Sequence, residues 1–222
     1  MKKVRIGLLT IGQSPRDDLV PEIRPLILPH IEIVEYGLLD NLPLGEIRRL
    51  CPEGNEMPLV TCMRDRSQVQ IGETKIAGLL PQGIAYMKSH LDVRAAGVLC
   101  THYFPKVKLP CPAVFPFPYL KYIIDEILEI EALGVVVPLE KQRRMAVEKW
   151  KKEKTVIAIK SPYTEEKTWE EIIEMFLQQR VEAVILDCIG YNIEDRQRMQ
   201  REISVPVLLP RAILAHALNQ LF

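Results

Sequence analysis

The chain has 222 residues, enough for one domain or two small ones, and 48% of them are hydrophobic, so core size is not limiting. Its 29 basic and 29 acidic side chains cancel, which argues against a nucleic-acid footprint or a polybasic membrane contact and leaves small neutral or anionic ligands open. No apolar stretch approaches the about 20 residues needed to span a bilayer.

The opening MKKVRIGLLTIG places two lysines before a short apolar run. Arg5 interrupts that run and no small-residue cleavage site precedes Gln13, so the segment reads as a first strand and not as a signal peptide. The five cysteines are odd in number and include no CxxC pair. Reduced thiols in a cytoplasm are therefore expected, without a disulfide framework or structural zinc.

After strand 4–10, IGQSPRDD predicts a loop opening a helix, with Ser14 as N-cap and Pro15 at the first helical position. A strand at 31–36 and a short helix at 44–50 come next. Residues 59–63 and 68–71, joined by RDRS, predict a β-hairpin, although the connection has no glycine. The helical pattern over 73–90 contains Pro81 and Gly83, which predict a kink or a split. Ala95 to Phe104 reads AAGVLCTHYF, a short apolar strand that delivers Cys100 to its end. A Pro-rich loop, a short strand in CPAVFP and a helix over 119–131 follow.

From there strands and helices alternate. Strands are predicted at 134–137, 155–160, 183–188 and 205–209, with helices at 140–152, 168–179, 193–203 and 211–221. The charge-rich stretch from Lys141 to Lys154 reads as a solvated helix face. The strand AVILDC ends in Asp187 and Cys188, and Gly190 follows. That edge, the carboxyl end of a parallel strand, is where open α/β sheets bind ligands. Pro112–Pro116 and Pro206–Pro210 share the spacing P-x-x-x-P, and each leads into an apolar helix after a cysteine-ended strand. The expectation is an α/β protein of two similar, doubly wound, mostly parallel halves. Residues 1–115 form the first half, with helix 119–131 crossing to the other. Residues 132–209 form the second half, with helix 211–221 packing back on the first.

The segments LLTIGQSPRDD, LDCIGYN and VPVLLPRAILA together resemble the AroM family over essentially the whole chain. AroM proteins look like members of the aspartate/glutamate racemase superfamily, which also holds hydantoin racemases, maleate isomerases and arylmalonate decarboxylases. The resemblance implies two halves about a pseudo-twofold axis with a cleft between them, a homo-oligomer, and chemistry without a cofactor. It also implies one catalytic cysteine per half, Cys100 and Cys188, facing opposite sides of a substrate α-carbon. The sequence departs from the racemases in having Ile189 and Gly190 where a Thr usually follows the second cysteine, and in carrying CTHY after the first cysteine strand and not the second.

Proton transfer beside a carboxylate needs a base on one face and an acid on the other, which a thiolate and a thiol supply. A positive His102 beside Cys100 would aid the first. A small carboxylate-bearing substrate would be held by Thr10, Gln13, Ser14, Thr101, Gly190 and Tyr191, with Arg16, Arg64 or Arg66 as a fork for a second carboxylate. The bland readings stand beside these: a cysteine ending an apolar strand is commonly inert core, and Thr10 and Ser14 serve equally well as caps. A zinc site of Cys100, His102 and Cys188 lacks a fourth ligand. Two functional classes follow. One is a cofactor-independent racemase or isomerase, with a decarboxylase or cis–trans isomerase using Cys188 alone as its variant. The other is a non-catalytic binding or regulatory protein using the same cleft.

Overall fold

A computed structural model describes residues 3–164 and 168–222. The chain divides into two compact units, the first Met1–Pro116 with Leu214–Phe222, the second Phe117–Ile213.

The first unit contains β1 (Val4–Thr10), α1 (Val20–Ile23), β2 (Ile31–Gly37), α2 (Leu44–Arg49), β3 (Pro58–Cys62), β4 (Gln68–Gly72), α3 (Glu73–His90), β5 (Ala95–Leu99) and β6 (Ala113–Val114). Its parallel sheet runs β2-β1-β5-β6. The last five residues of β1 and all of β5 are buried, as near-continuous apolar runs flanked on both edges should be. β2 lies at the edge and mixes buried Ile31 and Ile33 with exposed Glu32. The predicted hairpin is β3 with β4, antiparallel. Arg66 supplies the positive φ of 68° that its glycine-free turn requires.

Two local expectations change. The first helix begins at Val20, not Pro15, because the Ser14 amide and hydroxyl both bond the carboxylate of Asp40 (2.7 and 2.5 Å). Ser14 therefore has no helix to cap. α3 runs unbroken through Pro81. A proline inside a helix costs about 3 kcal/mol. Ile76, Leu80, Ile84 and Met87 are all buried along one face, and at roughly 1.5–3 kcal/mol each they outweigh that loss.

The second unit contains α4 (Pro116–Tyr122), which continues as a π-helical turn over Ile123–Ile127, then β7 (Ala132–Val137), α5 (Arg143–Lys149), β8 (Lys154–Ile159) and α6 (Trp169–Gln178). β9 (Ala183–Leu186), α7 (Ile193–Glu202), β10 (Val207–Leu208) and α8 (Pro210–Asn219) complete the chain. Its sheet, again parallel, runs β8-β7-β9-β10. The two helices predicted at 119–131 and 140–152 are each shorter than expected. The first changes to π geometry after Tyr122, and the second opens with a 3-10 turn over Glu140–Gln142.

Laid on one another, β1 matches β7, β2 matches β8, β5 matches β9 and β6 matches β10, so the two units share one strand order. The first unit adds the β3–β4 hairpin between its second and third sheet strands. The echoing prolines bracket β6 and β10, and α4 and α8 follow them. In the first unit Gly97 leaves room for Leu218 of α8, and Asn219 bonds the Leu26 carbonyl and the Leu28 amide (2.8 and 3.1 Å). Side chains alternate along β9. Val184 and Leu186 pack with Trp169, Phe176 and Met199 on one face, while Ala183 and Ile185 pack with Leu120 and Trp150 on the other. Among the described residues no helix is long and apolar enough to cross a membrane.

Candidate functional site

The two cysteine-ended strands finish in the same way. Cys100 follows β5 and its amide donates to the Val98 carbonyl at 2.9 Å, and Cys188, two residues beyond β9, donates to Leu186 at 2.8 Å. In each case the amide two residues further on turns back to the sulfur: His102 N to Cys100 Sγ at 3.5 Å, and Gly190 N to Cys188 Sγ at 3.5 Å. Both cysteines are 8% exposed. Both lie at the carboxyl edge of their sheet beside the central strand, where the strand order reverses and α/β sheets take ligands.

Around Cys188 the second unit is densely bonded. Asp187 points to the opposite face from Cys188, where its carboxylate accepts Lys149 Nζ at 2.7 and 2.9 Å and the Trp150 indole N–H at 2.6 Å. Lys149 thus departs from the solvated face expected of its segment, with only 7% of its side chain exposed. Its ammonium also sits over the rings of Phe117 and Trp150 (5.2 and 4.8 Å). Arg211, at the start of α8 and fully buried, donates to the carbonyls of Ile189 (3.0 and 3.2 Å) and Gly190 (2.8 Å). Tyr191 is fully buried, its hydroxyl donating to the Lys160 carbonyl at 2.5 Å. Burial, then the neighbouring Cys188, Asp187, Asp195 and Tyr163, push its phenol well above the ordinary range, so it stays protonated. Asn192 and Asp195 form a reciprocal capping box that opens α7 directly after this loop. A Cβ on Gly190 would lie 2.6 Å from the Tyr163 hydroxyl and 2.7 Å from Pro162, so the approach of the 161–163 loop requires glycine there.

In the first unit, Thr101 is buried beside Cys100 and His102 Nε2 meets Glu73 at 3.0 Å. Burial, followed by the Glu56 charge, raises the Glu73 carboxyl. The β1–α1 loop carries Thr10, Gln13, Ser14 and Arg16, and most of their polar groups bond within the unit. Arg16, 2% exposed, forks onto Asp18 (2.7 and 2.6 Å) and donates to Thr10 Oγ1 (2.9 Å). Gln13 bonds the Leu39 carbonyl and the Arg64 amide, and Arg64 in turn reaches Asp40 and the Ser14 carbonyl. Gln13, Asp40, Leu44, Met63, Arg64 and Ser67 line an open cavity of about 570 Å3. Of the remaining thiols, Cys51 is exposed, while Cys62 and Cys111 are buried and raised by that burial.

The sequence reading named the cysteines and the loops that follow them, but not Lys149, Trp150, Glu73 or Arg211. The one signal for Arg211 was its charge at the head of an otherwise apolar helix directly after Pro210. Lys149 gave none, since its partner is 38 residues away.

Solved structures with this fold include maleate isomerase Iso from Pseudomonas putida S16, with a TM-score of 0.62 at 14% identity, covering 99% of this chain and 93% of that one. Glutamate racemase from Francisella tularensis gives 0.58 at 13%, over 100% and 81%, and Picrophilus torridus aspartate racemase 0.56 at 14%, over 98% and 93%. No curated protein sequence matches the chain. The family model described as AroM protein matches residues 6–222, and the chain therefore belongs to the AroM family, on the fold shared by aspartate and glutamate racemases and maleate isomerase.

Proposed function

We propose that the protein is a cofactor-independent racemase or isomerase that moves a proton at the carbon next to the carboxylate of a small acid, with Cys100 and Cys188 as the paired acid and base. The observation that carries this is the matched ending of β5 and β9. In each unit a cysteine one or two residues past the strand, with an N–H from two residues on aimed at its sulfur, stands at the ligand-binding edge of the sheet. An N–H donor favours negative charge on sulfur, which the base needs.

In the step itself, the thiolate takes the α-proton, an S–H bond forms as the C–H bond breaks, and the electron pair spreads into the carboxylate. The other thiol then gives its proton to the opposite face of the carbon, becoming the thiolate. The enzyme ends with its protonation pattern exchanged and is ready for the reverse reaction. Substrate contact falls to Thr101 and His102 after Cys100 and to the backbone of Gly190 and Tyr191 after Cys188. Thr10, Gln13, Ser14 and Arg16 shape the loop that completes the carboxylate site.

The test is deuterium incorporation at the α-carbon when the protein meets a panel of small α-amino and dicarboxylic acids in heavy water. Exchange accompanied by racemisation in the wild type, with the racemisation lost in Cys100→Ser and in Cys188→Ser, supports the reading. Tight binding of an acid with no exchange favours a binding or regulatory role instead.

A further inference from the structure

Two thiols that end equivalent strands still need to differ at rest, one as thiolate and one as thiol, and the structure holds a device that separates them. We propose that Arg211 is the positioning residue that makes Cys188, and not Cys100, the resting thiolate, acting through the Ile189–Gly190 peptide. This rests on the paired-cysteine reading above and adds to it the direction of the first proton transfer.

Arg211 and the Cys188 sulfur are linked through one peptide plane. The Ile189–Gly190 bond is trans, so its carbonyl and its N–H point in opposite directions. Arg211 holds the carbonyl end with two donors, Nε at 3.2 Å and Nη2 at 3.0 Å. The N–H end is thereby aimed at Cys188 Sγ, at 3.5 Å. A guanidinium keeps its charge at every pH the protein meets, and a cation bonded to a carbonyl strengthens the N–H donor on the far side of the same amide. The third bond, Nη2 to the Gly190 carbonyl at 2.8 Å, fixes the next plane and keeps the loop from rotating away.

The other charged and titratable groups described around Cys188 are engaged elsewhere. Asp187 is turned to the opposite face and bonded to Lys149. Tyr191 stays neutral with its hydroxyl on the Lys160 carbonyl, Asp195 is engaged by Asn192 and Trp169, and Tyr163 meets the loop at Gly190. The position that echoes Arg211 after the second proline of the first P-x-x-x-P is Phe117, which has no charge to offer. The nearby ionisable pair is His102 with Glu73, whose net charge is zero with His102 protonated and negative with it neutral. Cys188 is also followed within four residues by the N-cap of α7, whereas Cys100 is followed by an irregular segment leading to β6. The two cysteines are equally exposed, so burial does not distinguish them.

The experiment is a pH titration of thiolate absorbance near 240 nm in the intact protein, needing no reagent access and no turnover. The difference between wild type and Cys188→Ser isolates Cys188, and that between wild type and Cys100→Ser isolates Cys100. Cys188 is expected to ionise at lower pH than Cys100. Arg211→Gln is expected to lower the Cys188 thiolate fraction at neutral pH about tenfold, and Arg211→Lys, which keeps the charge but loses the fork, by about threefold. Cys100 should be unmoved in both. An unshifted Cys188 in either variant with native circular dichroism, or a wild-type Cys100 that ionises at or below Cys188, overturns the proposal. If Arg211→Gln does not fold, Arg211→Lys and the wild-type comparison decide it. A shift in Cys188 with no substrate exchange in the wild type would sink the enzymatic reading and leave the Arg211 assignment standing.

Discussion

Replacing Lys149 by Met breaks a buried ion pair from one side. The ammonium and the Asp187 carboxylate are 7% and 2% exposed and meet at 2.7 Å, so the substitution leaves a desolvated carboxylate that keeps the Trp150 N–H but loses its cation. Such a loss costs about 3–5 kcal/mol, about a fifth or more of a typical domain's stability of about 5–15 kcal/mol. Removing both charges in Lys149→Met with Asp187→Leu takes away the buried carboxylate and leaves chiefly the unsatisfied indole N–H, at about 1–3 kcal/mol. The double variant should therefore be more stable than Lys149→Met by about 2 kcal/mol. Urea unfolding followed by tryptophan fluorescence reads this directly, because both tryptophans, Trp150 and Trp169, belong to the second unit. With a slope of about 2 kcal/mol per molar, the single variant should lower the midpoint by about 2 M, and the double variant should recover about half of that. A double variant no more stable than the single one, or a single variant within about 0.5 M of wild type, would show that the pair is solvated and the reasoning wrong.

Asp40→Ala should cost about 3 kcal/mol or more in thermal unfolding, since it removes the acceptor of the Ser14 amide and hydroxyl, the Gly37 amide and Arg64 at once. Gly190→Ala should destabilise by about 1–3 kcal/mol, because the added methyl meets the Pro162 ring as well as the Tyr163 hydroxyl; an unchanged melting temperature would mean that the 161–163 loop yields freely. Stability should fall as pH rises above about 8.5, where unfolded chains release thiol protons that Cys62 and Cys111 still hold in the folded state. Burial raises both thiols, so the native state binds more protons and the slope against pH is negative. Cys62→Ala should flatten that decline, and equal slopes in the two proteins would refute it.

Much of the fold was legible because it is written locally. The apolar runs of β5 and β9, each closed by a cysteine, and the paired prolines around β6 and β10 carry the repeat without any long-range contact. The hairpin was legible despite its glycine-free turn. What was not legible depends on partners distant in the chain. Ser14-Pro15 has the chemistry of a helix start, yet Asp40, 26 residues on, accepts from both the amide and the hydroxyl of Ser14 and holds the loop away from a helix. Lys149 lies in a run of charges, and Asp187 and two aromatic rings draw it inside. Arg211 looks like the first residue of a helix, and its role depends on three carbonyl bonds to a loop about 20 residues earlier. Pro81 marks the opposite case, in which a local breaker gave way to a packed helix face.

The most direct measurement follows each enantiomer of an exchanging acid separately, by proton NMR in heavy water, with the wild type and the two single serine variants. Two thiols on opposite faces predict that the wild type interconverts the enantiomers with deuterium incorporation. Cys100→Ser should then exchange one enantiomer with retained configuration, Cys188→Ser should exchange the other, and neither should racemise at more than about a hundredth of the wild-type rate. Both variants labelling the same enantiomer, or either racemising at the wild-type rate, would contradict a mechanism in which one sulfur serves each face.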